Sequence, residues 1–347
     1  MTAAESHAGG FFAIDSRIWA KVTECGMNEA VAYLILACGT GGDNRTTSWS
    51  AEAAHRYSGV AWSRAKAAIE NLVQAGVVRR GKDHTKERPR YELMPYEKGK
   101  FEINEKFIWL PNTVVTGTES GETSPLARIR GAGDRWTLRL FVDFYAAQNL
   151  REDGGIHSGI LCEQYERKEV WERSYYTIWA FRTKTAQLTW DGPMAVHRDR
   201  PKEKGKDHPV WLSVNLLRQM GLLGYIPHLM ESDSPQAEPI HPFGIGRNGE
   251  EQIEAEIGAA ADAAGRAMCT EWAVQQAEDD GFEWFCPVPR TLPQVQLIGV
   301  PRLRYRPHTN RTAAWYANLQ EMRTATIEHY SKIACGENSD LLRIRQA

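Results

Sequence analysis

One short stretch of the chain joins a helical pattern to the pattern of a β-hairpin. This stretch runs from Tyr57 to Leu93, and within it apolar residues recur at three- and four-residue steps from Ala65 to Val73. The apolar positions are Ala65, Ala68, Ile69, Leu72 and Val73. Such spacing predicts a helix, from Ala61 to Ala75, that buries one stripe of its surface and leaves the rest to solvent.

The residues after this helix favour a hairpin. Gly76 suits a left-handed cap at the end of a helix, and Val77 and Val78 begin an apolar run that is typical of a strand. The polar segment Arg79–Arg90 contains a Gly and a Pro, which break regular structure. Tyr91–Leu93 can then return as the partner strand.

The residues before the helix predict a second, shorter helix. Ala51–Tyr57 is preceded by Ser50, a residue type that caps helix N-termini. Ser58–Val60 then forms a tight turn between the two helices. The predicted order is therefore helix, turn, helix and hairpin.

The segment from about Asn28 to Leu93 resembles the winged-helix family within the helix-turn-helix class. The resemblance is carried by "AAHRYSGVAWSRAKAAIENLVQAGVV", with its turn Gly, a small residue six positions later and a Leu-x-x-x-Gly ending. One departure is Ala61, where the family often has Ser or Thr as the cap of its second helix; this should cost about 1 kcal/mol of helix stability. The resemblance implies a DNA-binding domain, and the alternative is that the helix pair packs against a partner protein.

In such a domain the second helix would read base edges in the major groove and the hairpin would contact the phosphate backbone. The predicted base-reading residues lie off the apolar stripe near the start of the helix; they are Trp62, Ser63, Arg64, Lys66 and Ala67. Arg64 is the strongest candidate because its guanidinium matches the two acceptors of guanine. The predicted backbone contacts are the cations in or near the hairpin, namely Arg45, Arg79, Arg80, Lys82, Lys86 and Arg88.

A second cationic motif, "PRLRYRPHTNR", lies near the C-terminus. If Arg302, Arg304 and Arg306 share one strand, their spacing of two places all three on the same face. They are therefore further candidates for phosphate contact, and a solvated face without a ligand is the alternative.

Size and composition limit the number of domains, the cellular location and the chemistry of the cysteines. The chain has 347 residues, which suggests two or three domains, and no apolar run is long enough to span a membrane. The N-terminus lacks a secretory pattern, so we expect a cytoplasmic protein. Its six Cys are scattered without a C-x-x-C pair, which favours reduced thiols and indicates neither a metal site nor a cofactor.

Charge is unevenly distributed along the chain. Ten Lys or Arg and four Asp or Glu lie between Asn44 and Arg90, whereas two Arg and thirteen Asp or Glu lie between Glu231 and Glu283. A basic domain beside an acidic insertion fits a protein that turns one face toward phosphates. The acidic part could offer a surface to a protein partner, or could simply be solvated.

The stretch "HPVWLSVNLLRQMGLLGYIPHLME" repeats the earlier pattern of a helix, a Gly and an apolar strand. It predicts a second, degenerate winged helix whose return strand is Gln294–Pro307 and whose wing is interrupted by an acidic helical insert. The expected fold is thus mainly α with small β-hairpins (α+β), in tandem winged helix-turn-helix domains. The predicted segments are a disordered lead (1–10), a winged-helix domain (11–95), a connector (96–134), a second winged-helix-like domain (135–333) with its insert at about 247–281, and a tail (334–347).

No motif for catalysis is evident: the ten His show no metal-ligand spacing, and no G-x-S-x-G elbow occurs. The leading hypothesis is therefore a non-enzymatic protein that binds double-stranded DNA sequence-specifically, as a transcriptional regulator of a bacterial mobile element. Tandem winged helices are also similar to plasmid and phage replication initiators, which is the first alternative. The second is a protein–protein adaptor without DNA binding. A homodimer is possible under each hypothesis.

Overall fold

The computed structural model describes residues 10–95, 106–118, 122–152, 154–202, 204–234, 237–246, 250–307 and 309–336. Most of the predicted lead (1–10) and tail (334–347) lies outside these residues. The helices are α1 (Ser16–Cys25), α2 (Met27–Cys38), α3 (Ala51–Ser58), α4 (Trp62–Gln74), α5 (Thr113–Thr116), α6 (Pro125–Ala132), α7 (Arg135–Ala146), α8 (Ala195–Arg198), α9 (Val210–Gln219), α10 (Gln252–Met268), α11 (Glu271–Asp279) and α12 (Asn310–Ala334). Among the described residues, each helix is too short or too polar to cross a lipid bilayer.

The strands form four antiparallel groups. They are β1 (Phe11–Asp15), β2 (Thr46–Thr47), β3 (Val78–Arg80), β4 (Tyr91–Leu93), β5 (Phe107–Pro111), β6 (Gln148–Asn149), β7 (Gly155–Ile156), β8 (Leu161–Arg173), β9 (Tyr176–Leu188), β10 (Leu223–Met230), β11 (Pro239–Pro242), β12 (Trp284–Pro289) and β13 (Gln296–Leu303). These groups are two strand pairs, β1–β5 and β6–β7, one three-stranded sheet and one six-stranded sheet.

The chain divides into two compact units, and each is built from three separate segments. The first unit comprises Met1–Ala147, Gly192–Leu222 and Tyr305–Thr309. The second unit comprises Gln148–Asp191, Leu223–Arg304 and Asn310–Ala347.

The prediction of a mainly α protein with tandem winged-helix domains is wrong. The fold is α+β, 44% helical and 25% strand, and the strands are concentrated in a large curled antiparallel sheet of the second unit. That sheet contains β8 and β9, two thirteen-residue strands that pair along their length. The sequence prediction contained neither strand.

In the first unit, α2 is the central helix of a three-helix cluster. Its residues from Ala30 to Cys38 are buried, and α3 and α4 both pack against it. On α4 the buried positions include Ala65 and Ala68, whose small side chains allow a close approach to α2. The buried face of α4 is the stripe that the spacing predicts.

The connections of this cluster are as the local residues predict. Gly59 ends α3 with a φ of 68°, and Gly76 follows α4 with a φ of 71°, which are left-handed conformations that favour Gly. The Ser50 side chain caps α3 by accepting a hydrogen bond from the Glu52 amide at 3.3 Å. Ala61 at the start of α4 makes no side-chain capping bond.

A hairpin follows α4 and carries a third strand on its far side. The order of the sheet is β2-β4-β3, with Glu92 of β4 opposite Thr46 on one side and Arg79 on the other. Beyond this sheet, the described part of the predicted connector contributes β5, α5 and α6 to the first unit. Ser124 anchors the start of α6 by donating to the Tyr57 carbonyl oxygen at 3.2 Å.

In the second unit the sheet has the order β11-β10-β13-β8-β9-β12. The predicted return strand is present as β13, and it pairs with β10 from Leu223↔Leu303 to Met230↔Gln296. These two strands lie inside the sheet instead of forming an isolated wing.

The acidic segment packs into the core of the second unit. Its first helix, α10, buries Ile257, Ala261 and Ala264 and packs against α12 and β12. At Gly258 a Cβ atom would lie 2.0 Å from the Gly244 carbonyl oxygen, so only Gly permits this contact. The interpretation of this segment as an insert that interrupts a second wing is therefore wrong, because α10 is part of the core.

A buried ion pair joins α10 to the sheet. Arg302 on β13 is 0% exposed and Glu254 on α10 is 0% exposed. The Arg302 guanidinium donates to both carboxylate oxygens of Glu254, with NH2 2.8 Å from Oε1. Burial alone would raise the pKa of the Glu254 carboxyl, but the charge and hydrogen bonds of Arg302 lower it below its usual value.

Replacing Glu254 with Gln should destabilise the protein by about 3–5 kcal/mol, because Arg302 would keep its buried charge without a counter-charge. The matched control is Glu256→Gln on the same helix, which breaks the more exposed ion pair with Arg323 and should destabilise the protein far less. Urea unfolding of the three proteins gives both values. Equal losses for the two variants would contradict the assigned importance of the buried pair.

A buried imidazole makes the stability of the second unit depend on pH. His329 on α12 lies in the core, with its ring 5.1 Å from that of Tyr330 and 6.4 Å from that of Tyr176. Burial, with a smaller contribution from the charge of Lys332, lowers the pKa of His329 to about 4. The folded state therefore holds this ring neutral at pH values at which the unfolded chain binds a proton.

We expect the free energy of unfolding to fall as the pH falls from about 6.5 to about 4, because only the unfolded state takes up a proton on this ring in that window. His329→Gln should remove roughly 2 kcal/mol of that pH dependence. Its control is the exposed His157→Gln, which should keep the wild-type dependence. Denaturant unfolding at half-unit pH steps measures the slope, and an unchanged slope in His329→Gln would refute the assignment.

Candidate nucleic-acid interface

The face of α4 that turns away from α2 is polar and exposed. All five predicted base-reading residues lie on it: Trp62, Ser63, Arg64, Lys66 and Ala67 are each exposed. The Trp62 ring is 43% exposed, and the Lys66 ammonium lies 5.1 Å from its centroid. The structure thus places these side chains together within the first two turns of one helix.

Arg64 is exposed at the start of α4. It lies in the first turn of the helix and makes no ion pair within the part of the chain that the structure describes. A guanidinium that is not held by a protein carboxylate keeps its planar donors for another acceptor.

The turn before α4 is fixed by short-range hydrogen bonds. The His55 Nδ1 atom lies 2.7 Å from the Val60 carbonyl oxygen, and the Ser58 hydroxyl oxygen accepts from the Val60 amide at 3.3 Å. These contacts orient the N-terminus of α4, where the predicted base-reading residues begin. The His55 ring also lies edge-on to Trp62 at 6.5 Å.

Two of the predicted backbone contacts, Arg79 on the hairpin and Arg45 just before β2, share one carboxylate. Glu92 Oε2 accepts from Arg79 Nε at 3.0 Å, from Arg79 NH2 at 2.6 Å and from Arg45 NH2 at 3.3 Å. The Glu92 side chain is 16% exposed, whereas those of Arg79 and Arg45 are 51% and 36% exposed. We call this cluster the Glu92 clamp; it comprises Arg45, Arg79 and Glu92.

A third predicted contact, Arg80, is also ion-paired. Its guanidinium donates to Glu70 on α4 and so links the hairpin to that helix. The sequence prediction included neither Glu70 nor Glu92. The register of the hairpin carries the signal for Glu92, because a return strand at Tyr91–Leu93 sets Glu92 opposite Arg79.

The remaining predicted contacts lie in the loop between β3 and β4. Lys82, Lys86 and Arg88 are exposed, and none has an ion pair among the residues that the structure describes. The loop has internal order, since Gly81 donates to the Arg90 carbonyl oxygen at 2.9 Å and Arg88 donates to the Thr85 hydroxyl oxygen at 2.9 Å. Three cations are therefore presented from one ordered loop.

The prediction for the C-terminal arginines is corrected. β13 ends at Leu303, so Arg304 and Arg306 lie beyond the strand and the three do not share one strand face. Arg302 is the buried partner of Glu254 and offers no surface to a phosphate. Arg304 is exposed and Arg306 is half-buried, and they belong to different units.

Cations on the sheet of the second unit are held differently from those at the hairpin tip. Several of them form ion pairs with neighbouring acids: Lys168 with Asp280 at 2.7 Å, Arg182 with Glu166 at 2.7 Å and Arg290 with Glu172 at 2.9 Å. Paired charges of this kind attract a polyanion less than isolated ones do.

Two clusters combine side chains of the types that enzymes use for catalysis, and in both clusters these side chains are buried in the core. His197 Nε2 lies 2.8 Å from Asp143 Oδ2 in the first unit, and the His197 ring is 0% exposed. In the second unit, Tyr330 OH lies 2.6 Å from His241 Nε2 and 3.5 Å from Cys286 Sγ. Burial raises the pKa of Cys286 to about 12, so its sulfur is a protonated core thiol. Within the described residues, no group of three or more His, Cys, Asp or Glu could hold a metal ion.

Comparison with known proteins finds no relative of this chain. The chain matches no protein-family model, and neither a curated protein nor a solved structure shows significant similarity to it.

Proposed function

We propose that this chain is a sequence-specific protein that binds double-stranded DNA through its first unit. In this proposal α4 enters the major groove and the β3–β4 hairpin follows the phosphate backbone. The observation that carries the proposal is the exposed polar face of α4, with Arg64 unpaired among the described residues, in a unit that also holds the cationic hairpin loop. Packing of the other face of α4 against α2 fixes the helix and leaves this face available.

The charge of the first unit supports a nucleic-acid ligand in preference to a neutral one. Lys82, Lys86 and Arg88 stand exposed on one short loop, where they outnumber its two acids, Asp83 and Glu87. Each such contact with DNA would release counterions and make binding depend on salt. A protein–protein adaptor that uses the same helices has no need of this arrangement.

The role we assign is transcriptional regulation of a bacterial mobile element, in the cytoplasm and without catalysis. The feature that favours it over replication initiation is α11, where Trp272 is 69% exposed and several acidic neighbours are exposed, which gives a protein partner a surface to contact. Initiation of plasmid or phage replication would use the same DNA interface. Transcription from a reporter promoter that carries the selected DNA site separates the two roles.

Arg64→Ala should weaken binding to the selected duplex by roughly 1–3 kcal/mol and relax its preference at one base pair. The matched control is Gln74→Ala, an exposed change at the other end of α4 that should leave affinity and preference unchanged. Sites selected from a random duplex library, followed by fluorescence anisotropy with the selected and scrambled duplexes, provide the measurement. Equal losses on both duplexes would show that Arg64 does not read a base.

Lys82→Ala and Arg88→Ala should weaken binding to every duplex by a similar factor and lower the slope of log K against log salt by about one each. The reason is that each residue is predicted to neutralise one phosphate without reading a base. Anisotropy over a series of salt concentrations gives the slopes. Unchanged slopes, or early elution of the wild-type protein from heparin, would favour the protein–protein adaptor over the DNA-binding protein.

A further inference from the structure

We propose that Glu92 is an internal competitor of the DNA phosphates, which occupies Arg45 and Arg79 and so limits sequence-independent binding. This inference rests on the proposed function, because it assigns a regulatory role within the same interface. Its basis is the Glu92 clamp, in which a carboxylate sits at the place that a phosphate oxygen would take between two guanidinium groups.

The geometry of the clamp resembles that of a bound phosphate. One oxygen, Glu92 Oε2, receives three N–H donors from two arginines, at 2.6, 3.0 and 3.3 Å. Arginine pairs bind carboxylate and phosphate oxygens with the same planar donors. While Glu92 holds these donors, they are not available to DNA.

The backbone keeps Glu92 in this position. Glu92 belongs to the central strand of the three-stranded sheet, opposite Arg79 on β3 and Thr46 on β2. Side chains directly opposite one another in adjacent strands lie close together on the same face. The strand register therefore sets the contact between Glu92 and Arg79. Arg45 directly precedes β2, and its carbonyl oxygen accepts from the Leu93 amide at 2.9 Å.

The arginines and the glutamate of the clamp differ in their exposure to solvent. The guanidinium groups reach solvent, whereas the carboxylate is largely sheltered. The clamp as a whole carries a net charge of one positive unit, from two arginines and one glutamate. A phosphate that approaches this face thus meets half the positive charge that the two arginines would carry alone.

The cations of the hairpin loop differ from Arg45 and Arg79 in having no carboxylate partner among the described residues. Lys82, Lys86 and Arg88 have no acidic partner among the described residues, so they remain available for the backbone in the free protein. Arg45 and Arg79 contribute their full charge only when Glu92 is neutral or displaced. We therefore expect the number of phosphates bound by the hairpin to be smaller than its count of cations suggests.

The test uses the full-length protein and a scrambled, fluorescein-labelled duplex, with anisotropy measured from about 50 to 200 mM salt. Glu92→Gln keeps the shape of the side chain and removes its charge. It should bind roughly five- to ten-fold more tightly at about 100 mM salt, with a slope of log K against log salt that is steeper by about one. Both arginines keep their contact with solvent and the amide oxygen of the variant can still accept from them, so the variant should melt close to the wild-type temperature.

The matched control is Glu87→Gln, which removes the same charge from the same hairpin. Glu87 is exposed in the loop and has no ion pair in the described part of the chain, so its loss should leave the slope unchanged. The double variant Arg79→Gln/Glu92→Gln should return most of the way to the wild-type slope. Arg79→Gln alone should lower affinity less than the same change does in the Glu92→Gln background.

The outcomes separate the inference from the proposed function. If wild-type protein binds the duplex with a salt-dependent affinity but Glu92→Gln binds equally or more weakly, Glu92 orients the arginines or is inert, and the inference is overturned. Equal gains in affinity and slope for Glu92→Gln and Glu87→Gln would also overturn it, because net charge alone would then explain the effect. If the wild-type protein binds no duplex at any salt concentration, the proposed function itself fails.

Discussion

The buried ion pair between Arg302 and Glu254 explains how the second unit is built. It ties an inner strand of the sheet to α10, so an acidic helix is part of the core. A charge buried in this way is tolerated only where a counter-charge and hydrogen bonds satisfy it, which fixes the position of the helix relative to the strand. The close approach of Gly258 to the Gly244 backbone then follows, because the helix has no freedom to move outward.

The first unit has a different kind of constraint, which is local. Its helices are specified by small residues on one stripe of α4, by glycines with positive φ after α3 and α4, and by a polar face that packs against nothing within that helix cluster. These features are encoded within a few residues of one another. For that reason the boundaries of α3, α4 and the hairpin strands follow from the sequence almost residue by residue.

The second unit could not be predicted in the same way, because its decisive contacts join distant residues. β8 carries seven charged residues, which hide its alternation, and its pairing with β9 places both strands in a sheet that neither suggests alone. Arg302 looks like a surface cation, and only its pairing with Glu254, forty-eight positions away, shows that it is buried. The periodicity of apolar residues predicts which face of a helix or strand is buried. It does not predict that a charged residue is buried when its partner of opposite charge is distant in the sequence.

The discontinuity of the first unit has a consequence for the order in which the chain folds during synthesis. Tyr305 joins this unit by two contacts: its carbonyl oxygen accepts from the Tyr145 hydroxyl at 2.6 Å, and its own hydroxyl accepts from Arg128 at 3.0 Å. The helices α2 to α4 can pack as soon as they leave the ribosome, since their contacts are local. The two contacts of Tyr305 form only after almost nine-tenths of the chain has been translated. A chain whose synthesis stops before Tyr305 would have the α2–α4 cluster packed and would lack both of these contacts.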